Sequence, residues 1–202
     1  MFEEYNLRFE KSKEKILNTY KFKNNKIPFI VSDMNYWVDG DNSPDVPINF
    51  FDNPEAMTKF QVNRISRHLK NYNDDYIPLL HPWYGVGVVQ SAFGCEIEFP
   101  GQYADPVVKS TVVKTPEDIK FLKLPDPHHD GLMPRVLNTI DYMKSTTNLP
   151  VCVTDTQGPL SVALGICGVE NIFLWMYLYP DKVHDVMEIC TEAIINWVKV
   201  QK

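Results

Sequence analysis

The sequence lacks long apolar runs. No stretch of its 202 residues approaches the roughly 18 uncharged apolar residues that a membrane-spanning helix needs. The N-terminal stretch, MFEEYNLRFEKSKEK, has no apolar core of the kind that a signal peptide requires. We therefore expect a chain that is neither secreted nor inserted in a membrane.

Cysteine is scarce, and basic residues are not clustered. The chain has four cysteines without a C-x-x-C pair, which favours reduced thiols in a cytoplasmic protein over a disulfide framework or a zinc knuckle. A net charge of −6 argues against a nucleic-acid partner, because phosphate binding needs a basic surface. Scattered Lys and Arg also make a membrane-surface patch an unfavoured interpretation.

Several catalytic and nucleotide-binding motifs are missing as well. The sequence contains no G-x-x-x-x-G-K-[ST] loop, no G-x-G-x-x-G after a predicted strand, no G-x-S-x-G elbow and no H-E-x-x-H pair. The pair His128 and His129 lies in a loop rich in Pro and Asp, where a solvent-exposed role is favoured over a metal site.

What is present is an alternation of helices with short apolar segments. Three segments have the composition of strands buried on both faces, namely 26–32 (KIPFIVS), 75–80 (DYIPLL) and 149–154 (LPVCVT). Such strands between helices predict an α/β fold, with a parallel sheet and the helices outside it. Two further short strands, 96–99 and 107–112, are predicted to pair with each other as a small addition.

Helix starts carry clear signals. Asn53, Pro54 and Glu55 supply a cap, a first-turn proline and a first-turn acid, and Thr115 with Asp118 matches a capping box. Apolar spacing or a leading proline predicts the remaining helices, at 7–22, 131–146, 159–167, 170–179 and from 180 onward.

The strand count suggests an incomplete domain. Three good strands are fewer than the eight that a closed barrel needs. The last helix also has a wide apolar stripe, from Val183 to Trp197, and the chain stops at Lys202 with no following strand. We therefore expect a piece of a larger barrel, with two unpaired sheet edges and a tendency to self-associate.

All three predicted strands end at a polar residue: Asp33, His81 and Asp155. Because the carboxyl ends of parallel strands meet at one face of the sheet, we expect these side chains to converge as catalytic residues. Residues next to them are candidates for substrate binding: Tyr36, Trp37, Trp83, Tyr84 and Gln157.

A structural role competes with each catalytic assignment. An Asp after a strand often caps the next helix or forms a turn, which applies to Asp33 and Asp155. His81 lies between Leu80 and Pro82, where a histidine with purely structural partners is also common.

Three stretches, from about residue 75 to 202, resemble the uroporphyrinogen decarboxylase superfamily. They are DDYIPLLHPWYGVGVVQSAFGCEIEF, VVKTPEDIKFLKLPDPHHDGLMPRVLNTIDYMK, and LPVCVTDTQGPLSVALGICG with the following YPDKVHDVMEICTEAIINWVKVQ. The resemblance implies a TIM-type (β/α) barrel, often a homodimer, of which 1–202 is one partial domain holding the first three or four β/α units. Within it, 1–25 is an N-terminal helix and 95–112 a small insertion.

Two chemistries are known in this superfamily. Decarboxylases remove acetate carboxylates from a tetrapyrrole without a cofactor, and corrinoid-linked methyltransferases move a methyl group between a cobamide and a thiol with zinc. The decarboxylases carry an Arg-rich R-x-x-G-R-Y segment after the first strand. Here the corresponding loop, SDMNYWVDGDNSPD, has no Arg or Lys and four Asp, which disfavours a substrate with many carboxylates.

The resemblance therefore favours the methyltransferase-like branch, acting on a small substrate. It implies no cofactor within this chain, and zinc and a corrinoid partner for the full-length protein, because the H-x-C…C zinc ligands lie in the second half of the barrel. Two alternatives stay open: uroporphyrinogen decarboxylation in porphyrin biosynthesis, and a non-catalytic domain that binds a tetrapyrrole or another small molecule.

Overall fold

The structure is a computed structural model that describes residues 2–24, 26–31, 47, 49–100 and 104–202. The chain forms two compact units, each of which combines separate stretches of sequence. The first unit consists of Met1–Leu80 with Tyr142–Cys152, and the second of His81–Asp141 with Val153–Lys202.

Helices dominate the first unit. A 3-10 turn, Glu3–Tyr5, leads into α1 (Asn6–Tyr20), which confirms the predicted N-terminal helix. Helix α2 (Pro54–Asn71) begins as predicted: Asn53 Oδ1 accepts the backbone N–H groups of Glu55 at 2.9 Å and Ala56 at 3.3 Å. This cap satisfies two of the four N–H groups that a helix start leaves without partners.

A buried carboxylate ties the first unit together. Asp74, whose side chain is 1% exposed, accepts hydrogen bonds from Arg8 Nη2 at 2.6 Å and from the Val31 backbone N–H at 2.8 Å. His68 Nε2 lies 3.0 Å from the same carboxylate. The neighbouring Asp75 pairs with Lys15 in α1. Asp74 and Asp75 thus connect α1, α2 and the segment 26–31.

The predicted strands are largely absent from the described residues. An isolated parallel bridge joins Leu80 to Val151, through bonds of 2.8 Å from Leu80 N–H to Pro150 O and 2.9 Å from Cys152 N–H to Leu80 O. The parallel direction was predicted correctly, but the prediction of three regular strands was wrong. Each segment contains a proline, which has no N–H to donate to a ladder: Pro28, Pro78 and Pro150.

The second unit starts with α3 (Val88–Ala92) and a small hairpin. Strands β1 (Ile97–Glu98) and β2 (Val107–Val108) pair antiparallel, with Ile97 opposite Val108. The pairing predicted within 95–112 is therefore present, although its status as an insertion stays a prediction.

The capping box at Thr115 is confirmed, but it opens a 3-10 helix, Pro116–Phe121. Helix α4 (Met133–Thr146) then follows the loop at 125–130. Gly131 precedes α4 in a left-handed conformation, with φ at +54°, where a Cβ would lie 2.5 Å from the Ala92 backbone nitrogen. Only glycine fits this close approach without a shift of the backbone.

Three helices form the core of the second unit: α5 (Pro159–Cys167), α6 (Val169–Leu178) and α7 (Pro180–Val200). The predicted apolar stripe of α7 packs against α5 and α6, so it is covered within the unit and gives no argument for missing chain. Buried side chains from all three helices make this core: Val162, Ala163, Ile166, Cys167, Ile172, Trp175, Val183, Val186, Cys190, Ala193 and Trp197.

The outer side of α6 is apolar and exposed. Among the described residues, no single helix has both the length and the hydropathy of a membrane span. The pair α5 and α6 reaches them only when the two helices are taken together, and these helices meet at a bend of 105°. The exposed apolar side chains of α6 are Val169, Phe173, Leu174, Met176, Tyr177 and Leu178.

Candidate functional site

Two segments of the second unit carry the predicted site residues that the structure describes. Residues 81–84 follow Leu80, and residues 154–157 lead into α5. A hydrogen bond of 2.6 Å from Thr154 Oγ1 to the backbone oxygen of Pro82 joins them. Since Pro82 follows His81 and Thr154 precedes Asp155, this bond brings the two predicted catalytic residues to the same place.

His81 is half-buried beside an aromatic side chain. Its ring centroid lies 5.3 Å from that of Trp83, with 65° between the planes, in an edge-to-face arrangement. Trp83 is itself fixed, because its Nε1–H donates to Asp105 Oδ1 at 2.9 Å. Together they form a partly exposed aromatic surface with a titratable nitrogen at one side.

Burial and the carboxylate of Asp155 both act on the protonation of His81. Burial lowers the pKa of its imidazole below the usual 6.5, because the charged form loses solvation, and the negative charge of Asp155 opposes this with a smaller upward effect. His81 is therefore a neutral imidazole at neutral pH. A proton that it accepts would be stabilised by Asp155.

Asp155 is oriented by its own neighbour. Gln157 Nε2 donates to Asp155 Oδ2 at 2.6 Å, and both side chains are partly exposed. This bond holds the carboxylate in one orientation, and the substrate contact predicted for Gln157 stays a prediction.

Tyr84 has a different environment from its neighbours. It is fully buried, its hydroxyl lies 2.8 Å from Thr139 Oγ1, and the guanidinium of Arg135 lies 5.5 Å from its ring centroid. This position gives Tyr84 a packing role in the second unit, so its predicted contact with substrate stays an expectation. Asp33, Tyr36 and Trp37 lie outside the described residues.

The described residues do not form a zinc site. No group of three His, Cys, Asp or Glu side chains among them is arranged to hold a metal ion. Burial raises the pKa of Cys95 to about 11 and those of Cys167 and Cys190 to about 12, whereas a zinc ligand must be a thiolate. The zinc that the superfamily implies therefore has no fitting ligand set in this part of the chain.

Sequence reasoning missed three residues that support the site. Asp105 holds Trp83, Thr154 joins the two segments, and Gln201 Oε1 accepts the Thr154 backbone N–H at 2.7 Å. Thr154 was detectable as the neighbour of Asp155. Asp105 and Gln201 lie 22 and 47 positions from their partners, and no local pattern marks them.

Comparison with known proteins places this geometry in a fold class. A methyltransferase from Methanosarcina mazei has the same fold, with a TM-score of 0.69 at 21% identity, over 94% of this chain and 56% of that one. The fold class is the TIM-type β/α barrel.

The chain belongs to the uroporphyrinogen decarboxylase (URO-D) family, which it matches over residues 49–202. The resemblance read from the sequence is thereby confirmed. The matched range includes the His81 and Asp155 segments, and Asp33 lies before it.

Two curated relatives are methyltransferases. The methylated-thiol–coenzyme M methyltransferase of Methanosarcina mazei is 27% identical over 128 residues, which are 62% of this chain and 34% of the relative. The methylcobamide:CoM methyltransferase MtaA of Methanosarcina barkeri is 24% identical over 148 residues, which are 72% of this chain and 41% of the relative. The matched residues thus cover well under half the length of either relative. Both relatives fit the methyltransferase-like branch of the superfamily.

Proposed function

We propose that the protein is an enzyme that transfers a methyl group from a corrinoid to a small thiol. The observation that carries this proposal is the similarity to two methyltransferases whose names specify coenzyme M, one of which also specifies a methylcobamide. The Arg-free, Asp-rich loop at 32–45 supports it, because a polycarboxylate substrate would meet like charge there.

In this proposal His81 accepts a proton. A thiol whose sulfur gains a methyl group must lose its hydrogen, and a neutral imidazole of lowered pKa is a suitable acceptor at neutral pH. Asp155 then stabilises the imidazolium, and Gln157 keeps the carboxylate oriented through its 2.6 Å hydrogen bond. No step is assigned to zinc, since the described residues supply no ligand set for it.

The aromatic residues bind substrate in this proposal. Trp83, held by Asp105, offers a flat apolar surface beside the imidazole. Tyr36 and Trp37 follow Asp33 in the sequence that precedes the family match, and we propose that they also bind substrate, with Asp33 as a further catalytic carboxylate.

We propose the further partners that the resemblance to the superfamily implies. They are a corrinoid carried by a separate protein, zinc in the full-length enzyme, and a second copy of the enzyme in a cytoplasmic homodimer. Reading the DNA beyond the codon for Lys202 tests the zinc proposal most directly. An open frame that encodes an H-x-C…C pattern supports it, and a frame without that pattern removes the zinc–thiolate mechanism.

The test of function is a methyl-transfer assay on the product of the whole open reading frame, with methylcobalamin as donor and coenzyme M as acceptor. We expect the methyl thioether to form, and Asp155→Asn to slow its formation. Uroporphyrinogen is supplied to the same preparation as the comparison substrate. Its decarboxylation without methyl transfer would establish the decarboxylase alternative, and binding of either ligand without turnover would establish the binding domain.

A further inference from the structure

We propose that Gln201, at the end of α7, is a positioning residue that holds the segment bearing Asp155 against the segment bearing His81. This inference rests on the proposed roles of His81 and Asp155, but its test needs no methyl transfer.

Both ends of the Gln201 amide are bound inside the second unit. The residue is 4% exposed, its Oε1 accepts the Thr154 backbone N–H at 2.7 Å, and its Nε2 donates to the Trp197 carbonyl at 3.3 Å. Because Trp197 lies one turn earlier in α7, the helix itself fixes the orientation of the amide.

Thr154 carries the connection onward to His81. It is 1% exposed, and while its N–H binds Gln201, its Oγ1 donates to the Pro82 carbonyl at 2.6 Å. A line of hydrogen bonds therefore runs from α7 through Gln201 and Thr154 to Pro82. We call it the Gln201 brace.

Gln201 takes the place of a neighbouring strand. In a regular sheet a buried backbone N–H binds a carbonyl of the next strand, but Thr154 lies in a segment without regular strand pairing. Gln201 supplies the acceptor from a helix. A leucine or methionine of similar size would fill the space without burying an amide, so the polar side chain at this position serves the bond to Thr154.

The Gln201 brace affects the site because the electrostatic interaction between Asp155 and His81 depends on the distance between them. Asp155 is a charged group that acts on His81, and the Coulomb interaction between two charges weakens as they separate. A shift of the 154–157 segment would therefore weaken the coupling between carboxylate and imidazole while leaving α7 itself folded.

The coupling is measured by NMR titration of the imidazoles, with His81→Gln to assign the His81 signal. Asp155→Asn should lower the pKa of His81, and that change defines the coupling. We expect most of this pKa difference to disappear when the proteins with and without Asp155→Asn are compared in a Gln201→Met background. This substitution keeps the length of the side chain and removes the hydrogen-bond acceptor. Thr154→Val should have the same effect, and Thr154→Ser, which keeps the hydroxyl, should preserve the coupling.

Val186→Ala is the matched control, because Val186 is fully buried in the same helix and lies outside the brace. It should lower the melting temperature and leave the coupling intact. Equal coupling in the wild type and in Gln201→Met would overturn the proposal, and so would an equal loss in Val186→Ala. If the wild type transfers no methyl group and Gln201→Met still loses the coupling, the proposed function is refuted and the proposal for Gln201 is supported.

Discussion

His81 combines partial burial with a carboxylate neighbour, and these two influences act on its proton in opposite directions. Burial has the larger effect and lowers the pKa, so the imidazole stays neutral at a pH where an exposed histidine is already partly charged. For the proposed activity this means that the proton acceptor remains available below pH 6.5.

The first prediction concerns the pH dependence that follows. Because a protonated imidazole cannot accept a proton, turnover should fall as the pH drops through the lowered pKa of His81, which lies below 6.5. His81→Gln should reduce kcat by about 10²- to 10⁴-fold, the usual contribution of a general base, and should remove this acid limb. A pH–rate profile checks both effects, and an acid limb that persists in the variant would assign it to another group.

The second prediction concerns Asp33. Asp33→Asn should abolish activity of the full-length protein with little change in its melting temperature, because we propose that this carboxylate serves chemistry rather than packing. Steady-state assays and thermal melts on the same preparation test it. Unchanged turnover would remove Asp33 from the proposed site.

The third prediction concerns the buried carboxylate of the first unit. Burial raises the pKa of Asp74, but hydrogen bonds from the Val31 N–H, His68 and the Tyr76 N–H outweigh it and leave the pKa below 3.8. Asp74→Asn leaves Arg8 without its buried charge partner, so we expect a loss of about 3 kcal/mol in the free energy of unfolding.

Acid pH provides a second readout of the same variant. A carboxylate with a lowered pKa stabilises the fold above its unfolded pKa of 3.8, and this stability is lost as the pH falls through the lower, folded value. Urea unfolding at decreasing pH should show that loss in the wild type and a smaller one in Asp74→Asn. Asp141→Asn, at an exposed position, is the control and should match the wild type.

At the scale of the elements, helix boundaries depend on local chemistry. Asn53 with Pro54, Thr115 with Asp118, and Pro159 and Pro180 all mark helix starts within a few residues of sequence, and the structure places helix starts at each of them. The residues that predicted these starts act locally, as capping side chains at Asn53 and Thr115 and as first-turn prolines at Pro159 and Pro180, so these boundaries were predictable.

The fourth prediction tests one of these caps. Asn53→Ala removes the acceptor for two N–H groups of α2 and should lower the free energy of unfolding by about 1 kcal/mol. Asn53→Asp keeps the acceptor and should cost little. Chemical denaturation compares the three proteins, and equal losses in both variants would show that the cap contributes nothing.

The strands show where sequence reasoning stops. Composition identified the segments 75–80 and 149–154, and their bridge at Leu80 and Val151 is parallel as expected. A segment pairs along its whole length only if alternate residues donate backbone N–H groups to a partner strand that is distant in sequence. The prolines in these segments have no N–H to donate. The same limit applies to the site. His81 and Asp155 were found because each follows a strand-like segment, whereas the contribution of Gln201 arises only from folding.

At the scale of the whole molecule, the exposed apolar side of α6 is a surface prone to association. Exposed apolar side chains there include Phe173 at 58% and Tyr177 at 86%, on a helix with one charged residue, Glu170. A contiguous apolar patch of this kind promotes contacts between protein molecules.

The fifth prediction follows from that patch. The 202-residue chain should self-associate as its concentration rises, and the double variant Phe173→Lys with Tyr177→Lys should stay monomeric over a wider range. Sedimentation velocity measures both. Glu188→Lys, at an exposed position of α7, controls for added positive charge, and a wild type that stays monomeric throughout would contradict the prediction.

The four cysteines have a consequence for the proposed reaction. Burial raises the pKa of every one of them, to about 11 for Cys95 and about 12 for Cys167 and Cys190, with Cys152 shifted in the same direction. A thiol must ionise to attack a methyl donor, so these four thiols should compete poorly with an added thiol acceptor in the proposed reaction. In a methyl-transfer assay we therefore expect no thioether at Cys95, Cys152, Cys167 or Cys190.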